Sequence, residues 1–235
     1  MTKDIIVIKR DGTKEPLDLE KMHKVVFYAC EGISGVSASQ VELKSHIQFF
    51  NGIRSEEVQE TLIKAASDLI TEETPNYQWV AGRLINYHLR KMVYNQFTPP
   101  HLSEIARKNV ELGYYDPEFF VSYDTQEIDQ LNSYLNHDRD EDLAYAGMEQ
   151  FRGKYLVQNR VTHEVYETPQ VCYMMISATL FSHYEKNIRM KYVKDFYDSI
   201  SHFDISLPTP IMAGLRTPQR QFSSCVLIET DDSLD

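Results

Sequence analysis

Apolar and polar positions alternate at the start of the chain and then change period. Ile5–Ile8 is a β-branched run, Asp11-Gly12 is a turn dipeptide and Thr13–Leu17 returns, which predicts a hairpin. Met22, Val25, Val26 and Ala29 then share one face of a first helix, with Asp18 placed to cap it. Ser37 and Gln40 form a capping-box pattern before Leu43, Ile47 and Phe50 at helical spacing, and Asn51-Gly52 breaks that second helix. Ser55 is placed to cap a third, whose face is Val58, Leu62, Ala65, Ala66 and Leu69. Thr74-Pro75 opens a fourth, running through Trp79, Val80, Leu84, Tyr87 and Lys91 to about Tyr94. A hairpin with four helices predicts a small domain over residues 1–95.

Pro99-Pro100 ends that pattern, because two prolines force an extended joint. Beyond it, residues 101–112 and 125–135 read as helices, Tyr155–Glu167 as a second hairpin, and Pro169–His183 and Lys186–Ser201 as two further helices. The acidic run from Asn136 to Asp142 lacks the glycine and terminal glutamate of a calcium loop. Its carboxylates suit a helix N-terminus, and no metal is expected there. From Asp204 on, the chain is extended, punctuated by prolines and rich in hydroxyls, and it feeds an apolar β-favouring run at residues 222–229. Apolar side chains on both faces of that run suit a buried parallel strand.

Composition narrows the function classes. With 42% hydrophobic and 25% charged residues the chain is of ordinary soluble, globular type. A formal charge of −11 opposes direct DNA binding or an anionic membrane as partner, but leaves nucleotides open, since phosphate needs only a few local cations and N–H groups. The three cysteines are far apart, which fits neither a disulfide framework nor a structural zinc site and points to a reducing, cytoplasmic setting. The opening MTKDIIVIKRDG is not a secretory leader, and no apolar run approaches the ~18 residues of a membrane span.

Two groups of residues carry candidate chemistry. Lys9 and Arg10 end the first strand, Lys21 lies on the first turn of helix one and Lys91 near the end of helix four. Packing the helices on the hairpin would converge these cations on a phosphate; a solvated basic surface is the plain alternative. Cys225 stands at the mouth of the last predicted strand beside Ser223 and Ser224, with Thr209 upstream, so donors for a polar substrate surround a thiol. The plain alternative is a small buried hydrophobe, the reading that also suits Cys30 and Cys172 within their helices. Asp232, Ser233 and Leu234 follow the strand, as a helix cap or as contacts to a ribose hydroxyl.

At this level of detail the chain resembles a known family. VIKRDGTKEPLDLEK, with helices ending in LRKMVYNQF, resembles the ATP-cone of ribonucleotide reductase large subunits. KYLVQNRVTHEVYETPQ and SLPTPIMAGLRTPQRQFSSCVLIETDDSLD resemble the start of that family's catalytic domain, in its aerobic class I form. The resemblance implies an α/β fold: the cone at 1–95, then at 96–235 the mainly helical start of a ten-stranded α/β barrel, incomplete in this chain. It implies reduction of ribonucleoside diphosphates, with Cys225 as one of two thiols that supply the electrons and become a disulfide. Thr209, Ser224 and Cys225 match substrate-binding positions, and Asp232, Ser233 and Leu234 the specificity-effector site. Lys9, Glu15, Pro16, Leu17, Asp18, Leu19, Glu20, Lys21, Ser55 and Lys91 match the positions that bind ATP or dATP in the cone. The implied partners are a chain carrying the rest of the large subunit, a small β subunit whose dimetal site supplies the radical, and thioredoxin or glutaredoxin. No covalently bound cofactor is implied; the bound small molecules are ATP, dATP and other deoxynucleoside triphosphate effectors.

Gln59 departs from the family, whose dATP-inhibited members often carry histidine there. The partner thiol, the radical-bearing cysteine and the C-terminal reducing cysteines have no match, so the chain is expected to be inert alone and either one half of a split subunit or a truncation. The rival reading is a free-standing ATP/dATP-sensing cone without chemistry. A cone-bearing repressor would carry a zinc ribbon and a basic surface, and this sequence has neither.

Overall fold

The computed structural model of the chain describes residues 5–229, so Asp232, Ser233 and Leu234 lie outside the described residues. The fold is dominated by helices and divides into two compact units. The first contains the chain up to Pro99 together with Asn136–Lys154; the second contains Pro100–Leu135 and the chain from Tyr155 on. No helix among the described residues is long and apolar enough to cross a membrane.

In the first unit, β1 (Ile6–Ile8) pairs antiparallel with β2 (Lys14–Pro16) and parallel with β3 (Ile53–Arg54), giving the order β2-β1-β3. Residues 10–12 turn between β1 and β2, closed by the Lys9 N–H donating to the Thr13 carbonyl at 2.8 Å. Gly12 takes φ +83°, which glycine adopts without strain. Asp18 caps α1 (Leu19–Cys30) as expected, its carboxylate accepting the Lys21 N–H at 2.9 Å. α2 (Ala38–His46) and α3 (Ser55–Ser67) follow, and α4 (Tyr77–Tyr94) is the central helix. Val26, Val41, Leu62, Ala66, Val80 and Leu84 are fully buried among these elements.

The local start signals differ in detail from the sequence reading. Ser37 precedes α2 without a side-chain cap; its N–H donates to the Tyr77 hydroxyl at 3.0 Å. Ser55 is the first residue of α3 and not its cap: Glu57 accepts the Arg54 N–H at 2.8 Å, satisfying that end with a carboxylate. α4 begins two residues after Pro75, at Tyr77. Leu43, Ile47 and Phe50 face solvent, because α2 buries Val41 and Ser45.

The acidic run forms a 3₁₀-helix, His137–Asp142, started by the Asn136 carboxamide accepting the Asp138 N–H at 3.1 Å. Its carboxylates meet arginines of α4, Asp140 at 3.6 Å from Arg90 and Glu141 at 3.7 Å from Arg83. α8 (Tyr145–Gln150) then packs on α4, where Gly82 leaves room for the Leu143 carbonyl, and a π-helical turn, Phe151–Tyr155, ends the segment.

The second unit holds α5 (Leu102–Glu111), α6 (Glu118–Ser122), α7 (Thr125–Tyr134), α9 (Pro169–Phe181), α10 (Lys186–Ser201) and α11 (Thr209–Gly214). α9 is buried on nearly every side, which suits its apolar circumference. Asp124 caps α7, with Glu127 returning to the Asp124 N–H. The expected hairpin at 155–167 reduces to one antiparallel bridge, Gln158↔Val165, because a wide turn closed by Asn159 and Glu164 occupies its middle. The strand expected at 222–229 is not formed: the segment has no paired neighbour among the described residues, and a strand exists only through its ladder. Val226, Leu227 and Ile228 stand 69%, 102% and 79% exposed.

Candidate functional site

A cavity of about 560 Å³ opens in the first unit between the sheet and helices α1, α3 and α4. Strand alternation selects its floor. Val7 and Lys9 from β1 and its end, with Thr13, Glu15 and Leu17 from the returning strand, share the face that looks into it. Helical spacing selects the walls: Asp18, Lys21, Met22 and Val25 of α1 and its cap; Ser55, Val58 and Gln59 of α3; Tyr87, His88, Lys91 and Asn95 of α4 and its end. The cavity therefore mixes apolar side chains with a few convergent charges, as ligand sites do.

The charges are differently committed. Lys9 pairs with Glu15 at 2.7 Å. Arg10 is held as part of the wall, its guanidinium 3.2 Å from Glu56 and donating to the Lys91 carbonyl at 2.8 Å. The Lys91 ammonium lies 5.8 Å from the centre of the Tyr87 ring. His88 is buried, and burial lowers its pKa against the opposing pull of Glu60, 3.4 Å from its Nε2. Its Nδ1 is buried without a hydrogen-bond partner. Lys9, Lys21 and Lys91 bring ammonium groups to the lining, a charge set that can neutralise an anion, and Glu15, Gln59 and Asn95 bring a carboxylate and two amides that can hydrogen-bond polar groups.

Seven of the ten residues expected here are brought together: Lys9, Glu15, Leu17, Asp18, Lys21, Ser55 and Lys91. Pro16, Leu19 and Glu20 do not line the cavity. Pro16 occupies the opposite strand face, Leu19 is half-exposed and Glu20 pairs with Lys24 at 2.8 Å on the outer side of α1. The sequence reading missed Thr13, His88 and Asn95 as site residues, and used Tyr87 only as a packing position. Each was reachable, Thr13 by alternation from Glu15 and the others by steps of three or four from Lys91.

The second group is not enclosed by the described residues. Thr209 opens α11 and is half-buried, whereas Ser224 and Cys225 are exposed. The Ser223 hydroxyl donates to the Cys225 carbonyl at 2.9 Å, and the Ser224 hydroxyl lies 3.8 Å from the thiol sulfur. Cys172 is buried, and burial pushes the half-buried Cys30 thiol up to about 11.

Comparison with known proteins covers both units. Residues 5–92 match the ATP cone domain, and residues 141–220 match the family described as ribonucleotide reductase, all-alpha domain. All 235 residues align at 54% identity with the ribonucleoside-diphosphate reductase subunit alpha of Haemophilus influenzae, covering 31% of it. They align at 53% with ribonucleoside-diphosphate reductase 1 subunit alpha of Escherichia coli, again 31% of that protein. The alpha subunit of Enterobacteria phage T4 is 42% identical over 233 residues, 98% of this chain and 30% of the phage protein. The chain thus spans about a third of the length of these relatives.

Proposed function

We propose that this chain, an ATP cone joined to the all-alpha domain of ribonucleotide reductase alpha subunits, serves the reduction of ribonucleoside diphosphates in two ways. Its cone binds ATP or dATP as a regulatory effector, and its second unit brings Thr209, Ser224 and Cys225 to the substrate. The observation that carries the reading is the cavity, which gathers Lys9, Lys21 and Lys91 around one space together with Glu15 and Ser55.

The chemistry assigned to Cys225 balances as a dithiol reduction. Cys225 and a second thiol from the remainder of the subunit lose two electrons and two protons and form a disulfide. The ribose gains them, its C2′–O bond breaking to leave C2′–H and water. Thioredoxin or glutaredoxin then resets the pair by thiol–disulfide exchange. The radical that starts the reaction comes from a separate β subunit. Ser224 and Thr209 hold polar groups of the substrate, and Asp232, Ser233 and Leu234 serve the specificity effector.

The exposed Val226, Leu227 and Ile228 favour this reading over a free-standing sensor, since they offer an unpaired apolar segment of β-favouring composition that a barrel supplied by further polypeptide could take up as a strand. The test mixes the chain with one carrying the remaining barrel, a radical-bearing β subunit and a dithiol reductant. The mixture should form a stable non-covalent complex and reduce a ribonucleoside diphosphate. Cys225→Ser should abolish turnover without preventing assembly, because a hydroxyl cannot form the disulfide. Sustained turnover by Cys225→Ser would refute the role given to this thiol.

A further inference from the structure

Arg216, Glu167 and Tyr115 form a cluster in which all three side chains are withdrawn from water. The guanidinium is satisfied from several sides. It forks onto the Glu167 carboxylate, and it donates to the Met212 carbonyl at 2.6 Å and the Tyr155 carbonyl at 2.9 Å. Glu167 also accepts the Tyr115 hydroxyl and, at 2.7 Å, the Val157 N–H. Burial holds the Tyr115 hydroxyl protonated, its pKa well above the usual value. The backbone joins in, with the Asp116 N–H donating to the Arg216 carbonyl at 3.0 Å. A second arginine repeats the contact near the surface, where Arg220 reaches the Asp116 carboxylate at 2.6 Å.

These contacts converge on one stretch of chain. Met212 and Arg216 follow Thr209 by three and seven residues, and Arg220 precedes Cys225 by five. A buried ion pair is a poor source of stability, since well-packed apolar residues of the same volume do as well or better. What a forked guanidinium supplies is a fixed place and direction for the backbone it grips. We propose that Arg216 and Arg220, through Glu167 and Asp116, are positioning residues that set where the 209–225 segment presents Thr209 and Cys225. The functional half of this inference rests on the reading of Cys225 given above; the anchoring half does not.

The test separates the two. Arg220→Gln removes an exposed ion pair, so the thermal midpoint should not change measurably. Deuterium uptake by the peptide spanning 209–222, followed by mass spectrometry on the whole chain, should nevertheless rise severalfold. The exchanged pair Arg220→Asp with Asp116→Arg should restore protection. In the assembled enzyme, Arg220→Gln should raise KM for the ribonucleoside diphosphate at least fivefold, and the exchanged pair should recover most of that. Arg216→Met with Glu167→Leu and Tyr115→Phe, an apolar replacement of the buried cluster, should fold and still lose at least tenfold in kcat/KM. Unchanged exchange in Arg220→Gln, or no recovery in the exchanged pair, overturns the anchoring. Normal protection loss with wild-type KM, or a folded apolar triple variant with full turnover, overturns the positioning role. Failure of the wild-type assembly to turn over would instead sink the reading of Cys225, while the exchange data still decide the anchor.

Discussion

Replacing Lys91 by alanine tests the cone cavity most directly, because the side chain contributes charge and little else. Its carbonyl, which holds Arg10, belongs to the backbone and survives the change. The ammonium's position over the Tyr87 ring is worth ~0.5–1 kcal/mol at an exposed site and is lost in the free and the bound protein alike. What remains is one charge-assisted contact to a phosphate, about 1.5–3 kcal/mol, or roughly a tenfold to 150-fold rise in Kd. Calorimetry of the whole chain with ATP should show that loss, while binding of adenosine, which has no phosphate, should barely change. Added salt should weaken ATP binding less in the variant than in the parent. Lys9→Ala should cost at least as much, since it leaves the Glu15 carboxylate facing the phosphates without its partner at 2.7 Å. Equal weakening of ATP and adenosine, or unchanged ATP affinity, would refute the placement of phosphates beside Lys91.

Other consequences can be read with Trp79, the one tryptophan of the chain and a natural reporter of the first unit. Gly82→Ala drives a methyl group into the Leu143 carbonyl, so despite a better helix propensity the unfolding free energy should fall by about 1–3 kcal/mol, read as a lower midpoint; an unchanged midpoint would contradict the close approach of Leu143 to α4. Burial, aided by Arg90, lowers His137 to about 4 in the folded chain, below its ordinary 6.5. The unfolded chain therefore binds the extra proton first, and stability should drop as pH falls from 6.5 to about 4, by up to about 3 kcal/mol; His137→Gln should flatten that slope. Gln59 cannot supply the cation of a protonated histidine, so the assembled enzyme should keep most of its activity at high dATP, and steep inhibition would count against this.

Local rules made much of this molecule legible. The Asp18 cap, the Gly12 turn and the face of α1 follow from a few neighbouring residues, and so does the convergence of Lys9, Lys21 and Lys91 once helices pack on a hairpin. Features that depend on distant partners were not legible. β3 is two residues long and exists only because β1 lies beside it. Leu43, Ile47 and Phe50 have helical spacing, yet the neighbours of α2 chose Val41 instead. The 222–229 run has strand composition without a described partner to make it one. Arg216 and Glu167 sit 49 residues apart, and nothing in either local sequence signals that both are buried.

The return of residues 136–154 to the first unit bears on how such proteins can be recombined. A module that begins and ends once can be exchanged between relatives by a single crossover, but this one leaves and comes back. A chimera joined at Pro99 would take α4 from one parent and the 3₁₀-helix and α8 from another, so Arg90 would meet a foreign Asp140 and Gly82 a foreign Leu143. Transplanting this unit from one relative to another therefore requires two grafts, residues 1–99 and 136–154 together. Drift in either piece is constrained by the other across a gap of 36 residues.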